Sequence, residues 1–231
     1  LAGVPDDVTW RVDVSDKPVE DREPVVLPAP VLEGCRDLFE ALKRRQTSRD
    51  ISTKKVSEQT LSDILWAAQG VNRAKGPFGD PGRTAGSASN SQEIRIYVLM
   101  EEGTYPYEPG SHRLAPVATG DLRRLAIGRG QQPAGADAPV RLVYVGDVER
   151  FRHAGFPEPG LYDPEVQKSY YFVDTGLIAQ NVYLAAASLG LAAWFHNCDK
   201  EGFAEAIGLG PDLRPLFGQT VGWTADRADA D

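Results

Sequence analysis

The sequence predicts one mixed domain of helices and strands packed around a long buried helix, and three observations carry that prediction. At 231 residues the chain is long enough for one sizeable core and too short for two ordinary domains with independent sites. Its 42% hydrophobic and 25% charged content is that of a globular protein, not of a coiled coil, a collagen or a disordered chain. Runs that read as strands are interspersed with helical patterns, and the pattern from Asp163 to Gly190 is the longest of these.

Taken in order, residues 1–36 hold Pro5, Pro18, Pro24, Pro28 and Pro30 and read as an extended arm, which leaves 37–231 as the folded domain. The chain starts at Leu1, which suits a removed leader peptide or a trimmed start equally, so cytoplasmic and exported locations both stay open. Asp37 to Arg45 has helical composition with its cations at the C-terminal end, where they complement the helix dipole. Ser57 is placed as an N-cap, Val56 and Leu61 as a hydrophobic staple, and Leu61, Ile64, Leu65 and Ala68 form an apolar stripe that ends at Gly70. Asn72 to Asn90, rich in Gly, Pro, Ser and Arg, reads as a long ordered loop. Ile94–Met100 reads as a strand, with hairpin strands beside it around Tyr105, Tyr107 and Gly110–Leu114. Val140–Val145 reads as a central strand because apolar residues occupy both of its faces. The long helix has Asp163 as N-cap, Pro164 at its first position and Gly190 at C′, and would span roughly 38 Å at 1.5 Å per residue. It is apolar or small nearly all round from Tyr171 to Leu189, which places it in the core or in a large subunit interface. Strands at Leu191–Phe195 and Gln219–Trp223 flank a short helix at Lys200–Ile207.

Composition also excludes function classes. A formal net charge of −8 provides no basic field for nucleic acid. The uncharged stretch Thr175–Cys198 is interrupted by Gln180, Asn181, Ser188 and Gly190, which suits a buried helix running into a strand and not a membrane span. Cys35 and Cys198 are the only cysteines, too few for a disulfide framework or a cysteine-rich zinc site, and His112, His153 and His196 show no metal spacing. Glycine-rich nucleotide motifs and the G-x-S-x-G elbow of hydrolases are absent.

Three segments can carry chemistry. Lys43-Arg-Arg-Gln-Thr-Ser-Arg49 gathers guanidinium forks and hydroxyls that match a phosphate monoester, although read alone it also suits a solvated helix end. Arg83-Thr-Ala-Gly-Ser-Ala-Ser-Asn-Ser-Gln92 combines small residues, which let a planar ligand approach the backbone, with amides that can donate and accept; an ordinary polar loop is the alternative. Trp194-Phe-His-Asn-Cys198 lies at a strand end, where open sheets place ligands, and equally suits a buried aromatic pair with a satisfied histidine. Trp194, Phe195, Tyr105 and Tyr107 are candidates for ring-stacking walls or for core.

The order of these segments resembles the FMN-dependent nitroreductase family from about Asp37 to about Trp223. The likeness is strongest to the branch of thiazoline/oxazoline dehydrogenase-like proteins, through Leu65-Trp66-Ala67-Ala68, Gly70-Val-Asn-Arg73, Arg83-Thr84-Ala85, Gln92-Glu93-Ile94 and Gln180-Asn181. The resemblance implies an α+β fold, a central mostly antiparallel sheet flanked by helices with the long core helix at a dimer interface. It implies a phosphate and ribityl site on Arg45, Gln46, Thr47 and Arg49, and a loop reaching the flavin from the partner subunit on Gly86, Ser87, Ala88, Asn90 and Gln92. It places Gln131 near the isoalloxazine and backbone groups of His196 and Asn197 near the flavin N5.

Gly86 and Ala88 stand where the better-known pattern has proline and serine. The C-terminal basic pair of many relatives has only Arg227 as a counterpart. The implied activity is reduction of nitroaromatic or quinone-like acceptors by NADH or NADPH through FMN in a homodimer, with the chemistry on the flavin and no side-chain acid or base. The alternatives are flavin-dependent dehydrogenation of a heterocyclic or peptide-derived substrate and a non-catalytic flavin-binding dimer.

Overall fold

The long pattern after Asp163 folds as one helix, α3 (Pro164–Leu189), in a computed structural model that describes residues 22–34, 37–76, 78–131, 138–156 and 158–225. Its ends are set by the residues that announce them. The Asp163 carboxylate accepts the Glu165 N–H at 2.8 Å, Pro164 occupies the first turn, and Gly190 leaves the helix at φ 78°. That φ lies in the left-handed region, so Gly190→Ala should cost about 1 kcal/mol of stability by urea denaturation.

The sheet against which α3 packs has eight strands: β1 (Val25–Val26), β4 (Ile94–Met100), β5 (Gly103–Glu108), β6 (Arg113–Leu114), β7 (Ala118–Thr119), β8 (Val140–Asp147), β9 (Ala192–His196) and β10 (Leu213–Gly222). Their order is β1-β6-β5-β4-β8-β10-β9, with β7 paired to β5, and every pairing is antiparallel. This is the α+β architecture expected, and β8 is central as its two apolar faces require. Period-two alternation divides the core. Ile96, Val98, Leu142 and Tyr144 face α3 and α2 (Glu58–Gln69), whereas Tyr97, Leu99, Val143 and Val145 face Phe203 on α4 (Lys200–Ala206). The Ser57 hydroxyl caps α2 by accepting the Thr60 N–H at 3.1 Å, and the Asp37 carboxylate caps α1 (Leu38–Arg44) in the same way.

Two elements depart from the sequence reading. The Asn72–Asn90 loop contains a ribbon, β2 (Val71–Arg73) with β3 (Gly82–Arg83), because Gly76 and Asp80 close a turn that brings the two back together; a 3₁₀ turn follows at Ala88–Asn90. Strand β10 begins six residues before Gln219, and a bulge between Pro215 and Phe217 absorbs the interruption that hides it in the sequence.

The first 21 residues of the expected arm, and Cys35, lie outside the described residues. From Arg22 the arm is docked: Val25 and Val26 pair with β6, Leu27 is buried, and the Val31 N–H reaches Asp63. Apolar surface remains uncovered beside α3, with Val173 and Leu177 exposed on it, Leu38, Phe39 and Leu42 exposed on α1, and Val31 and Leu32 in the arm.

Candidate functional site

After α1 the chain runs extended through residues 45–49, and alternation sorts its side chains. Arg45 lies over the Tyr183 ring at 5.5 Å, the Thr47 hydroxyl is 3.1 Å from the Tyr183 hydroxyl, and Arg49 lies over the Trp194 ring at 5.2 Å. Gln46 alternates with them and lines a separate groove of about 280 Å³ with Arg44 and Ser48. Arg44 is already paired with Glu40, whereas Arg45 and Arg49 have no carboxylate within ion-pair distance among the described residues. Two guanidinium groups held against aromatic faces, with a hydroxyl between them, form a donor set without an internal acceptor.

This turn closes the outer edge of β9, the last strand of the sheet. The Ser48 N–H donates to the Ala193 carbonyl at 2.9 Å, and the Phe195 N–H donates to the Tyr183 hydroxyl at 2.8 Å. Tyr183 therefore ties α3, the basic turn and β9 together, a role the sequence reading missed because it depends on a contact across 136 residues. Just beyond, the Gly128 N–H donates to the Asn197 carbonyl at 2.8 Å, and Arg129 is paired with Asp199. These contacts bring the 129–131 turn beside His196 and Asn197; the side chain of Gln131 lies outside the described part. His196 is 4% exposed, and burial lowers its pKa to about 4, so the ring is neutral near pH 7. Its Nδ1 faces the Asn197 carbonyl at 2.9 Å and must carry the proton, which leaves Nε2 to accept from Thr220 at 2.8 Å. The His196 side chain is thus spent on fixing the strand end, whereas Asn197 is exposed. Trp194, Tyr105 and Tyr107 are buried in the core, which removes them as stacking walls; Phe195 is half-buried.

The second constellation stands apart from the first. Gly86, Ser87, Ala88 and Asn90 line a cavity of about 720 Å³ whose other walls include Phe78 and Phe156. Gln92 is engaged inside the loop: its Oε1 accepts from Arg83 at 2.9 Å, and its Nε2 donates to the Pro81 carbonyl at 2.9 Å and to Asn90 Oδ1 at 3.2 Å. Asn90 and Gln92 consequently brace the loop from within, and Gly86, Ser87 and Ala88 form its open face. The Ala88 N–H donates to Asp174 on α3 at 2.8 Å. Asp174 and Tyr183 are nine residues apart on that helix, about 13 Å along the axis and two and a half turns round it. The basic turn and the small-residue loop therefore sit on opposite sides of α3, and the structure does not bring them together within one chain. Asp174 was missed as well, although it is the only charged residue between Lys168 and Asp199 and stands out for that reason. Arg227 lies outside the described residues.

Comparison with known proteins agrees with this fold. Residues 42–223 match the family described as the nitroreductase family. A protein of Methanocaldococcus jannaschii, provisionally assigned as a nitroreductase, is 31% identical over 161 residues, covering 67% of this chain and 75% of that protein. A crystal structure from Ralstonia eutropha JMP134, likewise assigned provisionally as a nitroreductase, superposes with a TM-score of 0.80 at 29% identity over 94% of this chain and 95% of that one. A hypothetical oxidoreductase of Bacillus subtilis shares the fold at a TM-score of 0.58 and 20% identity, over 83% and 67% of the two chains. With the sheet, the long helix and most of its length accounted for, the chain belongs to the nitroreductase family, whose members are oxidoreductases that typically bind FMN.

Proposed function

We propose that this chain binds FMN and reduces nitroaromatic or quinone-like acceptors with electrons from NADH or NADPH, as a homodimer that builds each flavin site from two subunits. The observation that carries the proposal is the pair of guanidinium groups, Arg45 and Arg49, which have no ion-pair partner among the described residues and lie beside the outer edge of β9. Their chemistry fits a phosphate: two forked cations and the Thr47 hydroxyl on one face, with no competing carboxylate among the described residues. Gln46, on the other face, would contribute through its backbone.

Bound FMN supplies the two-electron transfer chemistry. The chain's own work is to hold and orient. Arg45 and Arg49 fix the phosphate end, the β9 edge from Phe195 to Asn197 with the 129–131 turn offers backbone groups along the ring, and neutral His196 keeps that strand end in register. Gly86, Ser87 and Ala88 would cover the ring from the partner subunit, because in their own subunit they lie on the far side of α3 from the basic turn. The uncovered apolar residues on α3 and α1 supply the surface for that pairing. Protons for the reduced product come from solvent, since no side chain at the basic turn is a suitable acid: His196 is buried and neutral, and burial pushes the Cys198 thiol up to about 11.

Anaerobic mixing of the purified protein with NADH or NADPH tests this reading. We expect a yellow protein whose flavin absorbance bleaches and returns when a quinone or nitroaromatic is added. A bound flavin that neither nicotinamide reduces would sink the reductase reading in favour of a non-catalytic binder. The motif order from Leu65 to Gln92 supports a second reading within the thiazoline/oxazoline dehydrogenase-like branch, in which the flavin is reduced by a heterocyclic substrate. Bleaching by a thiazoline peptide but not by nicotinamide would select it.

A further inference from the structure

Behind the Gly86–Gln92 segment lie two acids for which electron transfer has no use. Glu93 is fully buried and Asp174 is 3% exposed. Both side chains line one small cavity, and two charged carboxylates buried there would repel each other, which a proton shared by the pair relieves. Glu93 Oε2 accepts the Ser91 hydroxyl at 2.6 Å, and Glu93 Oε1 has no donor among the described residues. Asp174 Oδ2 accepts the Ala88 N–H at 2.8 Å. One acid therefore holds each end of the 88–91 turn.

That turn needs holding. Ser89, Asn90 and Gln92 sit at φ 51°, 53° and 49°, a region that side chains other than glycine rarely adopt, and such backbone persists only where its surroundings over-determine it. Most of the groups around the pair are engaged elsewhere. Arg83 from β3 and Gln69 from α2 line the same small cavity: Arg83 gives its Nε to Gln92 while its Nη1 is buried without an acceptor among the described residues, and Gln69 donates to the Ile94 carbonyl. Arg150, from the turn after β8, donates to the Ser91 carbonyl, Asp147 is paired with Arg95, and Glu158 takes the Ser89 and Tyr170 hydroxyls. Neither acid of the pair is drawn down by a cation: burial, then the neighbouring Asp174 charge, pushes Glu93 up to about 8, and burial raises Asp174.

We propose that Glu93 and Asp174 are positioning residues that hold one shared proton at neutral pH, and that this proton sets the Gly86–Gln92 segment in the conformation that meets the flavin ring. The second half rests on the function proposed above; the first does not. A carboxyl whose pKa is raised in the closed loop favours that loop at low pH, and the advantage is lost as pH rises through about 8. Above that point two carboxylates face each other, and the Ala88 and Ser91 anchors are pushed apart.

Glu93→Gln separates the proton from the shape of the site, because its amide keeps an N–H toward Asp174 at every pH. Hydrogen exchange of the 86–92 amides, measured on the full chain without added flavin from about pH 6 to about pH 10, should give a wild-type to variant rate ratio that climbs up to tenfold per pH unit below about pH 8, where the closed loop holds the proton and opening releases it. Above about pH 8, where both states have lost that proton, the ratio should level off. A flat ratio throughout overturns the shared proton. If Glu93→Gln does not fold, Asp174→Asn serves the same comparison, since its amide can donate to Glu93 while its oxygen accepts from Ala88. FMN titrations on the same proteins test the second half: the wild-type Kd should rise, by at most tenfold per pH unit, as pH approaches about 8 and level off above it, while the variant's stays level throughout. Parallel profiles overturn the positioning role. Failure of both proteins to bind FMN overturns the proposed function and the positioning role, while the exchange ratio still decides the proton.

Discussion

The Arg45→Ala, Arg49→Ala double variant is expected to purify colourless, with FMN affinity lowered by about two to four orders of magnitude. Charge-assisted bonds to phosphate are worth roughly 1.5–3 kcal/mol each, so losing both removes about 3–6 kcal/mol of binding. The fold should survive. Among the described residues each guanidinium has only its contact with an aromatic face, worth about 0.5–1 kcal/mol at an exposed site, and neither is part of an ion pair. Affinity and stability are therefore separable by measuring flavin occupancy and urea denaturation on one preparation. Arg44→Ala provides the contrast, because Arg44 is paired with Glu40 and lines the other groove. If the double variant keeps its flavin, the phosphate is bound elsewhere, and the resemblance has been carried onto the wrong residues.

How much of this was legible in the sequence depends on the range of the contact involved. Helix α3 could be read to the residue at both ends, because Asp163, Pro164 and Gly190 act on their immediate neighbours. The basic turn was legible as a cluster of cations and hydroxyls, but its division was not: only the fold sets Arg45, Thr47 and Arg49 against the Tyr183 and Trp194 rings and puts Gln46 in a groove with Arg44 and Ser48. Strand β10 was cut short by Pro215 and Gly218, whose local preferences tertiary pairing with β8 overrides. Asn90 and Gln92 were read from type and order as ligand groups; the structure engages Gln92 inside a strained loop, whereas Asn90 stays in the cavity wall and accepts from the Gln92 amide. The Glu93–Asp174 pair was beyond reach, since each residue alone is an ordinary acid and only the fold sets one against the other.

Two defective variants should restore flavin sites when they share a dimer. Gly86→Trp is the partner to use with Arg45→Ala, Arg49→Ala. A Cβ at Gly86 meets nothing within 4 Å, so the fold accepts a side chain there, and the indole would project into the cavity that the loop presents. Each variant alone should bind little FMN, one lacking the phosphate grip and the other blocked at the ring. Co-expressed in equal amounts, they should form hybrid dimers as about half of the total, each with one site built from an intact basic turn and an intact loop. Flavin should then return to about a quarter of the wild-type content. The expectation follows from the placement of the two segments, nine residues apart along α3 and on opposite sides of it, which prevents one FMN from reaching both within a chain. A flavin site built within one chain gives no recovery on mixing, because every chain in the mixture carries a disabling change. That null result, obtained alongside a hybrid confirmed by differently tagged subunits, would place both segments on the same flavin and require the loop to move around α3.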